Sequence, residues 1–403
     1  MNNRAVNISS LVILLSLVSF IAEACLYYLI NYHWVSILFA VLFSVGLSHF
    51  CLESSLNYGY SFLHAAFMVT ITFIFSTVIY LIQPNQWIHY DFSMVVLVLV
   101  NWITPFIYCN IRDMLDVEYP EAALIAEWNG PRMSLKNGFD MDFYLNWQGN
   151  GYNWLMRNYD GAMDSNPHNI GKAYFCKNSG TGIDKFLDDY LPAYKATHKD
   201  GLWCFITCNH DTIRPSAGLT TDELRLAYAT IFTLPGAPFV YYGDEIGMRY
   251  LPLPTKEGGY FRTGSRTPMQ WDDSANHGFS TADAKDIYLP VDTAEDAPTV
   301  AAQADDPASL LNSVKSLLAF RHAHKDLNSD APFKVLYAPK AKDDYRPFVW
   351  QRGDLICAVN PAGVSIELPL ELAEDLKIQY TIGQAEIVND TLSLGAQSFV
   401  ILG

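Results

Sequence analysis

Four long apolar runs, at about 9–30, 34–52, 61–82 and 92–111, dominate the first part of this 403-residue chain. Each is about 19–22 residues, long enough for a helix to cross ~30 Å of hydrocarbon. The connections NYH, ESSLNYGY and QPNQWIHYD are short and rich in aromatics, as interfacial loops are. The first run is too long for the apolar core of a signal peptide, and an acid intrudes into its nearest imitation of a cleavage site, Ala22-Glu23-Ala24. These features predict a four-helix transmembrane bundle over residues 1–118. The lipid bilayer is then the partner of residues 9–111.

Charge supports the division. Residues 1–118 hold Arg4 and Arg112 as their only cations, against Glu23, Glu53, Asp91, Asp113, Asp116 and Glu118. With 26 Lys and Arg against 42 Asp and Glu overall, the rest of the chain is acidic as well. An acidic chain offers no basic patch for phosphates, so nucleic acid is excluded as a partner. Arg4 and Arg112 sit at the two ends of an even number of spans, and the loops at 31–33 and 83–91 carry no Lys or Arg. The positive-inside rule then places both ends, and the soluble part, in the cytoplasm. The seven cysteines form no disulfide-like spacing, which suits a reducing compartment. Of the ionisable residues in or beside the runs, Glu23 lies within the first, His49 and Glu53 stand four apart on one helix face, and His64 starts the third run on the same side; the readings are a metal or proton site, or, more simply, that three of these cap membrane edges.

From residue 121 the pattern changes. Short apolar segments, AALIAEW (122–128), GFDMDFY (138–144), LWCFITC (202–208) and APFVYYG (237–243), read as strands. Between and after them, 184–197, 222–234 and 307–324 carry helical periodicity, the last with Leu310, Leu311, Val314, Leu317 and Leu318 on one face. Beyond about 333, PFVWQ, LICAVN, VSIELPL and QSFVILG alternate like strands of a small antiparallel domain. Alternating strands and helices imply a βα architecture. The expected organisation is therefore three domains: a membrane bundle (1–118), an incomplete α/β TIM barrel of four βα units (119–330), and an antiparallel β-sandwich (331–403).

LIAEW, FITCNHD, FVYYGDEIGM and GSRTPMQWD, in that order and spacing, resemble the later motifs of the α-amylase family, glycoside hydrolase family 13. The resemblance covers 119–403 and lies nearest the oligo-1,6-glucosidase, α-glucosidase and trehalose-processing group. Separately, 102–116 loosely resembles a stretch of VanZ-like membrane proteins. The first resemblance implies α-glucan or α-glucoside oligosaccharides as substrates and retaining hydrolysis, in which an acid protonates the leaving oxygen and a second carboxylate attacks the anomeric carbon. Residue by residue, Glu127 matches the general acid, and Trp128 beside it is expected to desolvate it. Asp211 matches the carboxylate that favours the oxocarbenium-like state, and His210 its hydroxyl-binding neighbour. Arg266 matches a position either facing a substrate subsite or held in an ion pair. Asp244 and Glu245 are expected to shape a loop. No cofactor is implied. Cys204, Cys208 and His210, two or four apart, lack the further ligands a metal site needs, so no metal is implied either.

The family's nucleophile is an Asp in a Gly-x-Arg-x-Asp stretch, expected thirty to forty residues before Glu127. That interval reads LIQPNQWIHYDFSMVVLVLV, where Asp91 lacks the required Gly and Arg. A half-barrel also leaves strand edges open, since only closure removes them. The expectation is a glycosidase-like chain without turnover of its own. The alternative is a membrane protein joined to a glycosidase fragment by rearrangement or assembly error.

Overall fold

The computed structural model describes residues 111–145, 150–157, 173–254, 256, 262–339, 347–368, 376–388 and 391–403. The four apolar runs lie outside these residues, except for the last residue of the fourth. Among the described residues, no helix is long and apolar enough to cross a membrane. The chain divides into two units, Met1–Ala126 with Gly130–Asp140, and Glu127–Asn129 with Met141–Gly403.

In the first unit, a helical stretch at 111–118 precedes the two-residue strand β1 (Ile125–Ala126) and a short helical turn, Pro131–Ser134. Arg112 pairs with Asp116 at 2.9 Å and with Asp140, whose carboxylate also accepts the Leu124 N–H at 2.8 Å. The expected strand over 122–128 is thus regular at only two residues. Residues 127–129 leave the extended conformation, and Asn129 reaches a φ of 56°.

The second unit is built on parallel strands. β2 (Met141–Tyr144) pairs in parallel with β3 (Leu202–Phe205), Met141 opposite Leu202 and Tyr144 opposite Phe205. Residues 237–239 extend the sheet, with Ile206 bridging Phe239 in parallel. The Ala237 N–H donates to Trp203 at 2.8 Å and the Phe239 N–H to Phe205 at 2.7 Å. Among the described residues nothing pairs with the far side of 237–239, where Pro238 lacks an N–H and Val240 and Tyr242 are exposed.

The helices follow their sequence signals. α1 (Gly151–Met156) starts at Asn150, whose side chain accepts the Asn153 N–H at 2.9 Å. α2 (Asp184–Thr197) buries Phe186, Leu187 and Tyr190. Tyr144, Trp203 and Phe205 from the sheet pack on that face with ring centroids 5.0–6.4 Å apart. α3 (Thr221–Thr233) opens with a capping box: Thr220 accepts the Glu223 N–H, and Glu223 accepts the Thr220 N–H at 2.8 Å. It ends before Pro235 and Gly236, which cannot continue it. α4 (Leu310–Ala323) buries Leu310, Leu311, Val314 and Leu317, while Leu318 is only half-buried at the rim of that stripe.

Antiparallel strands complete the unit. β4 (Phe333–Tyr337), β5 (Phe348–Arg352), β6 (Leu355–Asn360), β8 (Ile378–Ile382) and β11 (Ser398–Leu402) form one sheet in the order β4-β5-β6-β11-β8. β7 (Ile366–Leu368), β9 (Ala385–Val388) and β10 (Thr391–Leu394) form a second, in the order β7-β10-β9. Val349, Ala358, Val400 and Leu402 from the first share a core with Leu368, Leu392 and Leu394 from the second. Two buried arginines, Arg352 on β5 and Arg321 on α4, bond to the end of α3 and the turn after it. Arg352 donates to Thr233 O at 2.6 Å, and Arg321 donates to Phe232 O and, at 3.0 Å, to Gly236 O. They satisfy the carbonyls that a helix C-terminus leaves unpaired, and burial depresses the Arg321 pKa to about 10.

Candidate active site

Glu127 opens the three-residue turn after β1. Buried Asp142, on β2, accepts both the Trp128 N–H at 3.1 Å and the Asn129 N–H at 3.2 Å on one carboxylate oxygen. The Asn129 side chain accepts the Leu145 N–H at 3.0 Å. These three bonds set the direction in which Glu127 leaves the sheet. Trp128 is 65% exposed and Glu127 is exposed too, so the expected desolvation of the acid by Trp128 does not occur. The turn carries the indole outward, and no described side chain closes over it.

Asn209, His210 and Asp211 follow β3 in a tight loop. Asn209 Oδ1 accepts the Asp211 N–H and the Thr212 hydroxyl, each at 3.0 Å, and its amide donates to Glu127 Oε1 at 3.4 Å. One carboxylate oxygen of Glu127, one of Asp211 and a ring nitrogen of His210 lie within 4.8 Å of one another. His210 Nε2 stands 3.5 Å from Asp211 Oδ2. Three residues 83 or 84 positions apart in sequence at most are thus gathered at one mouth of the sheet.

Two arginines complete the cluster. Arg262 and Arg266 both reach Asp211 Oδ1, at 2.8 and 2.9 Å, and Arg266 Nε donates to His210 O at 2.7 Å. Arg266 therefore takes part in an ion pair. Arg262 is a site residue that motif reading missed. Its signal was its spacing: Arg262 and Arg266 bracket the single 3₁₀ turn Thr263–Ser265, which turns both toward one side.

Beneath this cluster lies a buried polar layer. Asp244 accepts from Arg214 at 2.7 Å and from the Thr207 hydroxyl at 2.7 Å. Arg214 also donates to Tyr242 O at 2.8 Å and sits 5.0 Å from the ring centroids of Tyr241 and Tyr242. Burial pushes the Asp244 carboxyl up, against the opposing pull of Arg214 and Thr207. Asp244 thus shapes the loop rather than facing the mouth, and Glu245 follows it in the same 3₁₀ turn. Cys204 and Cys208 lie in the core, whereas the His210 side chain is 51% exposed, so these three do not form one ligand set.

Comparison with known proteins locates the likeness. The model of the alpha amylase catalytic domain matches residues 140–330, which takes in His210, Asp211, Arg262 and Arg266 and begins beyond Glu127. The trehalose synthase/amylase TreS of Mycobacterium tuberculosis is 34% identical over 151 residues, covering 34% of this chain and 23% of that protein. The alpha-amylase SusG of Bacteroides thetaiotaomicron is 29% identical over 238 residues, 56% of this chain and 32% of that protein. The mouse amino acid transporter heavy chain SLC3A1 is 29% identical over 211 residues, 48% of this chain and 30% of its own. The chain thus spans less than a third of the length of these relatives. Among solved structures, Amy13B of Eubacterium rectale superposes with a TM-score of 0.56 at 17% identity, over 75% of this chain and 56% of that one. That identity establishes a shared fold. Residues 140–330 are the part of this chain that matches the alpha-amylase catalytic domain, followed by an antiparallel β-sheet domain.

Proposed function

We propose that this chain carries an α-glucoside site of the retaining-glycosidase kind, with Glu127 as the proton donor to the leaving oxygen and Asp211 and His210 holding sugar hydroxyls. The observation that carries the reading is the meeting of Glu127, His210 and Asp211 within 4.8 Å. The TreS and SusG relatives, named as amylases, support the substrate class. Retaining hydrolysis needs two carboxylates close together, and Glu127 and Asp211 bring one oxygen each within 4.8 Å. Asp211 nonetheless has one oxygen committed to two guanidiniums, which suits an anchor for hydroxyls better than an attacking group.

Without a Gly-x-Arg-x-Asp nucleophile, the chain by itself binds α-glucosides and does not turn them over. The similarity to SLC3A1, a protein named as a transporter heavy chain, favours such a non-hydrolytic use of the fold. Purified full chain is expected to show negligible hydrolysis of maltose, isomaltose or a nitrophenyl α-glucoside while binding maltose by calorimetry. Robust hydrolysis that vanishes in Glu127→Gln overturns the non-hydrolytic part, and absence of maltose binding overturns the site. We further propose that residues 9–111 hold the chain in a lipid bilayer, with the remainder on the cytoplasmic side.

A further inference from the structure

We infer that Thr212 is a positioning residue that acts on Glu127 through the side-chain amide of Asn209. The inference rests on the α-glucoside reading of the site. Asn209 links the loop after β3 to Glu127, 82 positions earlier in the chain. Its Oδ1 accepts the Asp211 N–H and the Thr212 hydroxyl, each at 3.0 Å. Its Nδ2 donates to Glu127 Oε1 at 3.4 Å.

A side-chain amide can sit either way round, and its partners decide which. A backbone N–H only donates, so the atom facing the Asp211 N–H is the oxygen. The Thr212 hydroxyl accepts the Asn209 N–H at 3.2 Å, which directs its own proton to Asn209 Oδ1. Two donors on the oxygen side leave the NH2 group for Glu127. Thr212 is held in turn: Ser265 Oγ donates to its carbonyl at 2.5 Å, and Cys208 Sγ lies 3.2 Å from its hydroxyl. Flipping the amide would aim its oxygen at a carboxylate and its NH2 at a backbone N–H, two repulsive contacts in place of two bonds. Glu127 therefore meets a donor on Oε1. That bond biases the rotation of the carboxylate, and with it the direction in which Oε2 meets a sugar hydroxyl. Thr212 sets this geometry at one remove, as the supporting shell of a binding site does.

The test uses the full chain with Thr212→Val, which keeps the shape and removes the hydroxyl, and Thr212→Ser, which keeps the hydroxyl. Maltose affinity is measured by calorimetry. Thr212→Val is expected to weaken maltose binding about fivefold, the scale of one hydrogen bond, and Thr212→Ser less than about twofold. Unchanged affinity in Thr212→Val, or the same loss in both variants, overturns the inference. Asn209→Asp keeps an oxygen for Asp211 and Thr212 but turns a second oxygen toward Glu127. It is expected to weaken binding by at least about fivefold, and it decides the question if Thr212→Val does not fold; unchanged affinity there overturns the inference too. A second readout needs no sugar. The side-chain amide resonances of Asn209 are followed by NMR in chain carrying isotopically labelled asparagine, and assigned by their loss in Asn209→Asp. They are expected to shift on Glu127→Gln in the unsubstituted and Thr212→Ser chains, and not in Thr212→Val. Resonances that ignore Glu127→Gln overturn the relay whatever maltose does, and an equal response in Thr212→Val overturns the part played by Thr212. The expected response in a chain that binds no maltose overturns the sugar reading and leaves the relay standing.

Discussion

Arg214 and Asp244 form a 2.7 Å ion pair in which neither side chain reaches solvent, the two being 0% and 1% exposed. The pair ties the loop after β3 to the turn after residues 237–241. A buried pair of this kind is weak evidence of net stabilisation, but breaking it strands a charge. Arg214→Met is expected to lower stability by about 3–5 kcal/mol, because it leaves the Asp244 carboxylate uncompensated. Denaturant unfolding checks this, and a loss below about 1 kcal/mol contradicts the assignment.

Gly236 has a φ of +108°, and a Cβ there meets Trp203 O at 2.2 Å. Its N–H is committed to Ser329 O at 2.7 Å, so the backbone has no easy escape. Gly236→Ala is expected to lose more than about 2 kcal/mol, from strain and clash together. Gly247, also at positive φ but with its nearest neighbour at 3.4 Å, provides the contrast. Gly247→Ala is expected to lose only about 1 kcal/mol, the backbone penalty alone. Equal losses at the two sites contradict the packing argument.

Burial pushes the thiols of Cys176, Cys204 and Cys357 up to about 12 and that of Cys208 to about 11. An unfolded thiol titrates near 8.5. Below that value both states hold the proton and nothing is lost. Above it the unfolded chain releases protons that the folded chain keeps, so stability falls as pH rises from about 8.5 toward 11–12. Native protein is expected to resist iodoacetamide at these four positions at pH 8, and unfolded protein to react. Mass spectrometry of the alkylated peptides distinguishes the two, and rapid native labelling of Cys208 contradicts its burial.

Asp142 is 1% exposed and accepts the N–H groups of Trp128 and Asn129. Asp142→Ala is expected to orphan both donors and release the turn that aims Glu127, at about 1–3 kcal/mol of stability. If the site binds as proposed, maltose affinity falls with it. Retained affinity in a folded Asp142→Ala chain assigns the orientation of Glu127 to other contacts.

If residues 9–111 occupy a bilayer, the full chain is expected in the membrane pellet after alkaline carbonate washing, and a chain beginning near residue 119 in the supernatant. Recovery of the full chain in the supernatant contradicts the bilayer reading.

Local chemistry made much of this molecule legible. The bounds of α2 coincide with the predicted 184–197, where the period of burial through Phe186, Leu187 and Tyr190 holds despite Pro192 in the helix. α3 begins where Thr220 and Glu223 make a capping box, a signal contained in four residues. Glu127, His210 and Asp211 were named from short motifs, and the tertiary structure brings them to one place. What the sequence did not determine depended on contacts between distant segments. Nothing in Asp211's own neighbourhood announces the two guanidiniums, which arrive from 51 and 55 residues away. Trp128 reads as a hydrophobic wall for Glu127, yet its burial depends on a turn direction set by Asp142 in another strand. Helix periodicity and caps are properties of a dozen neighbouring residues. The pairing of a carboxylate and the covering of an aromatic ring are decided by whichever part of the chain folds back onto them.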